Sequence, residues 1–460
     1  MKLWKLAPLT LALTAAFPGV ALAQSNEELL KELRALKDRV GELEKKLADK
    51  PAAAATGEKQ WGMTPEQVQD FNRISVKTEG LQDAVEAQGL KNLKISGYID
   101  PTYIYNRDQK RAGFQFLNRV SDDGYNYDNS YFGTASIDFQ KEMEGGTKWR
   151  LTLMPNRGAG SIADSTGNSI VHEASVSMPL GDLQTRLIAG QIPDWSGYEY
   201  VQATTTKLVT RGLLLDFTEP TAYTAAGMEI IRGKWDVKAV LGNFNRTKQV
   251  ANRRSPVFAY RVDYSKGEFN GFGFAGVHGK IANFSSNPGA SGDSRLDLFE
   301  ADTYFIRGDL TLQGQVGFGR QKDASITPAA DGTLRDAQWW GVSGLAAYKF
   351  IPRWEATARL DYISNQKNGG GLLQYSSADG RNGIGPDANL GCATALVDGC
   401  DKGANRYALA VGVSYLFNAN TTFKTEYRID HATQPVFLNT KDGSYTKGNQ
   451  LFGASVVVSF

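Results

Sequence analysis

Charged side chains recur at every second position in several segments of this 460-residue sequence. Arg359 and Asp361 form one such pair, and Arg428 and Asp430 form another. Residues two apart project from the same face of a β-strand, so each pair predicts a charged stripe along one side of a strand. Charges of both signs on one face can pair with each other, or they can act together on a passing ion.

Residue types that often carry catalysis or bind metals are scarce and scattered. The three histidines, His172, His278 and His431, lie far apart, and no CxxC, phosphate-binding loop or metal-ligand spacing occurs. Asp430–His431 resembles the acid–histidine pair of outer-membrane proteases, but that reading needs a second acidic pair and a smaller barrel. Basic and acidic residues number 51 and 49, and this nearly balanced charge does not suggest a nucleic-acid partner. We therefore expect no enzyme, no cofactor, no metal and no nucleic-acid partner.

The elements that carry the charged stripes are predicted to be strands, because residues from Leu93 onward alternate between apolar and polar types. Short turns alternate with long connections such as 106–130, 194–221, 364–404 and 432–448, which favours a membrane barrel over a soluble sandwich. The predicted fold class is all-β, a transmembrane antiparallel β-barrel of about sixteen strands. The strands are expected at 93–105, 131–141, 147–155, 170–180, 185–193, 222–232, 235–243, 257–265, 271–282, 296–307, 309–319, 337–350, 353–363, 405–417, 421–431 and 449–460.

The residues before the strands predict three shorter segments. Residues 1–23 have a basic start, an apolar stretch and Ala21-Leu22-Ala23, which indicates a signal peptide rather than a membrane anchor. Residues 24–50 carry leucines and a valine at heptad spacing, which predicts a coiled coil, with a single amphipathic helix as the alternative. Residues 51–90 are expected to hold a linker and a short helix that begins at Thr64. The barrel is assigned to 91–460.

The last strand carries the strongest resemblance to a known family. Phe452, Ala454, Val456 and Val458 share one face with the terminal Phe460, and such a strand resembles the barrel-closing end of outer-membrane proteins. Taken with the loop pattern, the chain resembles Gram-negative outer-membrane porins with an added periplasmic coiled coil. The resemblance implies a water-filled channel for passive diffusion of small hydrophilic solutes and ions, surrounded by outer-membrane lipid. It also implies a homotrimer, held through the barrel and the coiled coil, with the N-terminal segment in the periplasm.

Two other functions stay open at this point. One is a substrate-specific channel for a sugar or an organic acid, and the other is a structural or adhesive outer-membrane barrel. In porins the third external loop folds into the pore, and 194–221 occupies that position here, although it lacks the Pro-Glu-Phe-Gly-Gly motif of the commonest general porins. The inward fold is therefore expected from position only.

The candidate site residues follow from this assignment. Basic and acidic residues mix along the same strands, so we expect weak ion selectivity, set at the narrowest point, with Lys207 and Arg211 as a positive edge. Cys392 and Cys400 lie eight apart in the longest loop and are expected to form a disulfide, with two free thiols as the alternative. The constriction candidates are Asp194, Glu199, Lys207, Arg211, Asp216 and Glu219, and the lumen-wall candidates are Lys94, Arg150, Arg186, Lys238, Arg261, Arg359 and Arg428.

Overall fold

The computed structural model describes residues 34, 37–39, 64–87, 89–117, 133–154, 170–244, 256–267, 269–283, 289–372, 385–392 and 398–460. The predicted signal peptide, most of the predicted coiled coil and residues 51–63 of the predicted linker lie outside these residues. The chain divides into two compact units, Met1–Lys94 and Ile95–Phe460.

The first unit contains helix α1, Pro65–Ala87. Its start is capped reciprocally: Gln67 N donates to Thr64 Oγ1 at 3.2 Å, and Thr64 N donates to Gln67 Oε1 at 2.9 Å. These bonds satisfy two backbone donors that have no partner within the helix, and they confirm the predicted start at Thr64. Among the described residues, no helix is both long enough and apolar enough to cross a membrane.

The second unit is a closed antiparallel β-barrel of sixteen strands, as predicted. Strands β1 and β2 are each interrupted, so eighteen hydrogen-bonded segments make up the sixteen strands. Apart from the two interruptions, the alternating pattern located the strands to within a few residues. The segments of β1 are Leu93–Ile99 and Thr102–Asn106, and those of β2 are Arg111–Gln115 and Ala135–Glu142. The others are β3 Lys148–Leu153, β4 Val171–Leu180, β5 Asp182–Pro193, β6 Ala222–Arg232, β7 Trp235–Phe244, β8 Val257–Ser265, β9 Asn270–Ala282, β10 Asp293–Arg307, β11 Leu310–Gln321, β12 Ala337–Ile351, β13 Trp354–Ser364, β14 Arg406–Asn418, β15 Thr421–Ala432 and β16 Gly448–Ser459.

The barrel closes between its first and last strands. Tyr98 pairs with Ser459, and Thr102 pairs with Ser455. Phe460 N donates to Gly97 O at 3.0 Å, and Gly97 N donates to Phe460 O at 3.1 Å. Closure leaves no free sheet edge between β1 and β16, so these backbone groups need no external partner.

The prediction of a long connection at 106–130 is wrong for its first part, up to Gln115, and residues 118–130 lie outside the described residues. The chain turns back at once after Asn106 and forms the first segment of β2, Arg111–Gln115. Gln109 N donates to Asn106 Oδ1 at 3.1 Å, and Asn106 Nδ2 donates to Gln109 Oε1 at 2.9 Å. These side-chain bonds hold a tight turn within a segment whose polar composition resembles a long loop.

The two ends of the barrel differ in the connections that they carry. We call the end with connections of at most five residues, such as Gly181 and 233–234, the turn end. The opposite end, which carries the longer segments 322–336, 365–405 and 433–447, is the loop end. Phe318, Leu360 and Phe417 are more than half exposed on the outer surface. The barrel is therefore inverted relative to a soluble domain, with apolar side chains outside and most charged strand residues inside.

Candidate functional site

Residues 194–221, called the inner loop, leave the wall after β5 and return at β6. Asp194 N donates to Thr221 O at 3.2 Å, so the loop is closed at its base. Side chains of the loop contact inward-facing residues of β13, and its backbone contacts β15, on the far side of the barrel from β5. The inner loop therefore lies inside the barrel.

Inward-facing glycines of the wall make room for the inner loop. A Cβ atom added to Gly412 would lie 2.6 Å from Leu208 Cδ2, and one added to Gly341 would lie 3.0 Å from Leu214 Cδ1. At Gly453 an added Cβ would lie 3.1 Å from Val209 Cγ1. Larger residues at these positions would push the loop away from the wall. These glycines are the sequence signal for the inward fold that strand periodicity alone did not reveal.

The wall also binds the backbone of the inner loop through charged side chains. Glu426 Oε2 accepts hydrogen bonds from Val209 N and Thr210 N, both at 2.7 Å. Lys424 Nζ donates to Ala203 O at 2.6 Å and to Thr206 O at 2.5 Å. A carboxylate thus meets backbone donors and an ammonium meets backbone acceptors, and such charge-assisted bonds are stronger than neutral ones.

Arg359 and Arg428 lie beneath the loop rather than on an open lumen wall, which corrects their predicted placement. Arg359 donates to Glu199 Oε1 at 2.8 Å and to Asp361 Oδ2 at 2.9 Å, and its side chain is fully buried. Arg428 donates to Arg211 O at 2.8 Å and to Asp430 Oδ2 at 2.9 Å. Strand alternation had placed them correctly on the inner face, but it could not show that the loop covers them.

The predicted positive edge of Lys207 and Arg211 is wrong for Arg211. Its guanidinium is buried and donates to Tyr200 O at 3.0 Å, Val201 O at 2.6 Å and Val209 O at 3.0 Å. Arg211 therefore holds the loop's own fold. The Lys207 side chain is 27% exposed, and its Nζ lies 2.8 Å from Glu355 Oε2.

The predicted acidic loop residues are also largely buried. Burial raises the pKa of Asp194 to about 6, although it accepts hydrogen bonds from Tyr223 Oη and Ser196 N. Burial and the neighbouring Glu300 carboxylate raise the pKa of Glu219 well above its usual range. Asp216 is 3% exposed, on the short helix α2, Leu213–Phe217. These carboxylates are enclosed and do not form an open charged rim.

Part of the barrel interior is packed with apolar side chains. Leu213, Leu214 and Phe217 of α2 are at most 1% exposed, and they pack against inward-facing residues from the loop-end half of the wall. This packing fills the interior around α2. The wall residues of this cluster include Tyr223, Val240, Phe244, Val257, Val277, Ile281, Leu296, Leu298, Trp339 and Ile363.

Further inward-facing charged side chains lie on β2–β4 and β6–β10, and their exposed fractions run from 6% for Asp302 to 31% for Asp263. They form three wall clusters, in each of which one base lies between two carboxylates. In the first wall cluster, Arg150 Nε lies 2.8 Å from Asp138 Oδ1 and 3.4 Å from Glu173 Oε2. The second and third wall clusters repeat this arrangement.

The second wall cluster centres on Lys238 and the third on Arg261. Lys238 Nζ lies 3.2 Å from Glu229 Oε1 and 3.1 Å from Asp236 Oδ2. Arg261 lies 2.7 Å from Asp263 Oδ1 and 2.6 Å from Asp302 Oδ2. An added Cβ at Gly273, on the intervening strand β9, would collide with the Arg261 guanidinium, so glycine allows this side chain to cross the strand.

The edge of the inner loop faces these clusters. Burial raises the pKa of Tyr200, and the charges of Arg261, Asp302 and Lys238 act on its hydroxyl. Gln202 Nε2 lies 3.3 Å from His172 Nε2 on β4, the strand that carries Glu173 of the first cluster. We call the region between this edge of the loop and the three wall clusters the passage.

The two remaining wall candidates lie apart from this passage. Arg186 donates to Ser177 Oγ at 2.6 Å and to Gly146 O at 2.7 Å, so it holds the turn between β2 and β3. Lys94 is half-buried in the first segment of β1. Within the described parts of the chain, no group of three or more His, Cys, Asp or Glu side chains is placed to bind a metal ion.

A family model described as "Protein of unknown function (DUF3138)" matches residues 62–460. The chain belongs to the DUF3138 family. No curated protein sequence matches it closely enough to indicate kinship. Two similar solved structures are a loop L8 deletion mutant of OmpT, an outer membrane protein of Vibrio cholerae, and OmpF of Salmonella typhi in complex with daunomycin.

Both likenesses of this DUF3138 protein are structural. The OmpT mutant is 12% identical, with 80% of this chain and 99% of that chain covered, at a TM-score of 0.50. OmpF is 12% identical, with 80% of this chain and 97% of that chain covered, also at a TM-score of 0.50. At this identity the likenesses show the barrel fold alone and do not assign a role to the passage.

The loop end of this DUF3138 protein contains Cys392 and Cys400, which are joined by a disulfide. Thr327 Oγ1, from the connection between β11 and β12, donates to Cys400 O at 2.7 Å. Cys400 is 1% exposed and Cys392 is 8% exposed. The disulfide therefore belongs to a packed group of loops.

Proposed function

We propose that the protein is a porin of the Gram-negative outer membrane, through which small hydrophilic solutes and ions diffuse passively. The turn end and the N-terminal segment then face the periplasm, and the loop end faces the outside of the cell. The inner loop narrows the channel, and the three wall clusters line it.

The observation that carries this proposal is the difference in exposure between the two sets of inward-facing charges. Arg359, Asp361 and Asp430 under the loop have side chains that are 0% exposed, whereas those of Asp236 and Asp263 are 26% and 31% exposed. Enclosing partly unpaired charges without water is costly. Water beside the wall clusters meets this need, and a closed barrel of sixteen strands is wide enough to hold it.

The outer surface supports a lipid environment. Its apolar side chains include aromatic residues near both ends of the strands, as in the interface bands of membrane barrels. Trp235, Phe305, Phe350, Trp354 and Phe417 lie toward the turn end, and Phe258, Trp340 and Tyr407 lie toward the loop end.

We assign transport rather than catalysis because the inward-facing charges form ion pairs along the passage, whereas the three histidines do not lie together in one site. His172 lies on β4, His278 lies on β9 beside Asp297, and His431 is exposed on β15. A homotrimer, assembled through the barrel and the predicted coiled coil, is part of the same proposal.

Conductance in a planar lipid bilayer tests the channel. Purified protein should give stepwise, ohmic current increases. Glu426→Gln provides the matched control for contaminating channels, because it weakens the inner loop's attachment and should change the step size. Steps that are absent in repeated preparations, or that do not respond to Glu426→Gln, would show that the barrel does not conduct as proposed.

A further inference from the structure

The three wall clusters share a composition that gives the passage a net charge. Each cluster has two carboxylates and one base, and the bases are Arg150, Lys238 and Arg261. With all groups ionised, each cluster carries one net negative charge, and the three together carry three. The pair formed by Lys207 and Glu355 is neutral and does not offset this excess.

The register of the wall concentrates the acidic side chains. Asp236 and Asp263 are directly opposite each other on the neighbouring strands β7 and β8. Like charges in this position repel, which disfavours the pair in the absence of a cation. Lys238 and Arg261 are the next inward-facing pair toward the loop end. Each base bonds its own strand's carboxylate, but the two acids remain the more exposed side chains.

We infer that the wall clusters make the channel selective for cations, so that small hydrophilic cations, inorganic or organic, are its preferred solutes. This inference rests on the proposed function. It differs from the weak selectivity expected from the mixed sequence, because the tertiary structure encloses Arg359 and Arg428 together with the carboxylates that they bind. In the three wall clusters that are left, carboxylates outnumber bases by two to one.

The size of the effect follows from screened electrostatics. Three unit charges at about 10 Å in 0.1 M salt favour a monovalent cation over an anion by about fivefold. In 1 M salt the Debye length falls to about 3 Å, and the same charges should leave a ratio near one. A preference that disappears with salt is therefore part of the expectation.

The test is the reversal potential across a bilayer with a KCl gradient. The wild-type channel should favour K⁺ over Cl⁻ by several-fold at low salt. The triple variant Glu173→Gln/Glu229→Gln/Asp263→Asn leaves each cluster neutral and should reduce the ratio to near one while current persists. The control variant Asp182→Asn/Asp331→Asn/Asp442→Asn changes the protein's net charge equally at exposed turn and loop positions. It should keep the wild-type ratio.

Each outcome decides the inference. An anion-selective or unselective wild-type channel at low salt would overturn it, as would equal shifts in the cluster and control variants. Heat-modifiable gel mobility checks that the variants fold. If the triple variant does not fold, Asp263→Asn alone replaces it and should give a partial shift of the reversal potential. Wild-type current without cation preference defeats this inference alone. Absence of any current defeats the proposed function and this inference with it.

Discussion

Replacing Arg359 by methionine tests whether buried charge holds the inner loop against the wall. The fully buried guanidinium lies 2.8 Å from Glu199 and 2.9 Å from Asp361. Methionine keeps much of the volume but leaves two carboxylates without their cation. Removing one partner from a buried ion pair costs about 3–5 kcal/mol. The wall strands are held by continuous hydrogen bonding on both sides, so we expect most of this cost to fall on the attachment of the loop.

A cost of that size changes the ratio of attached to detached loop by about 10²–10⁴-fold. The variant channel should therefore show larger and noisier current steps than the wild type. A detached loop should also become cleavable by trypsin after Lys207 or Arg211. Burial already raises the pKa of Glu199 in the wild type, and loss of Arg359 should raise it further. Protonation then removes the unpaired charge, so the defect should be smaller at pH 5 than at pH 8.

The triple variant Arg359→Met/Glu199→Gln/Asp361→Asn removes the base together with both acids. It should recover most of the wild-type step size, because no uncompensated charge remains. Arg320→Met removes an arginine that is 62% exposed in its ion pair with Asp336 and should change nothing. Wild-type steps and trypsin resistance in Arg359→Met would refute the claim that this ion pair holds the loop.

Three further predictions concern other parts of the chain. Asp194 has a folded-state pKa of about 6, above its usual value, so its ionisation should destabilise the base of the loop as the pH rises from about 4 to 6. Asp194→Asn should remove this pH dependence from thermal unfolding. An unchanged pH dependence would exclude Asp194 as its source. The disulfide of Cys392 and Cys400 closes a loop of about nine residues and should stabilise the loop end by about 2.5 kcal/mol. Intact mass after alkylation without reductant checks that the disulfide is present. Labelling of both thiols would contradict it. Deleting residues 24–50 should lower the heat stability of the oligomer on native gels but leave conductance intact, and loss of barrel insertion would assign this segment another task.

Local sequence patterns determined the barrel. Alternation placed Leu451, Gly453 and Ser455 on one face of β16 and Phe452 on the other, because backbone geometry alone fixes the two-residue period of a strand. The capping residues Thr64 and Gln67 likewise located the start of α1, since their bonds span only three residues. The turn at 107–110 was missed because it depends on side-chain bonds between Asn106 and Gln109, which composition does not reveal.

The site depended on contacts between residues far apart in sequence. Alternation identified Arg359, Arg428 and Arg261 as inward-facing. Only the folded inner loop shows that Arg359 and Arg428 are covered, whereas Arg261 lies beside the passage. Whether a charge faces water is set by what packs over it, and Glu199 reaches Arg359 across 160 positions. The same holds for Gly273, whose role appears only when Arg261 crosses β9 to reach Asp302. The sequence by itself determined which side chains enter the barrel, and the tertiary structure decided which of them remain exposed there, because burial is a property of the assembled fold and not of the strand.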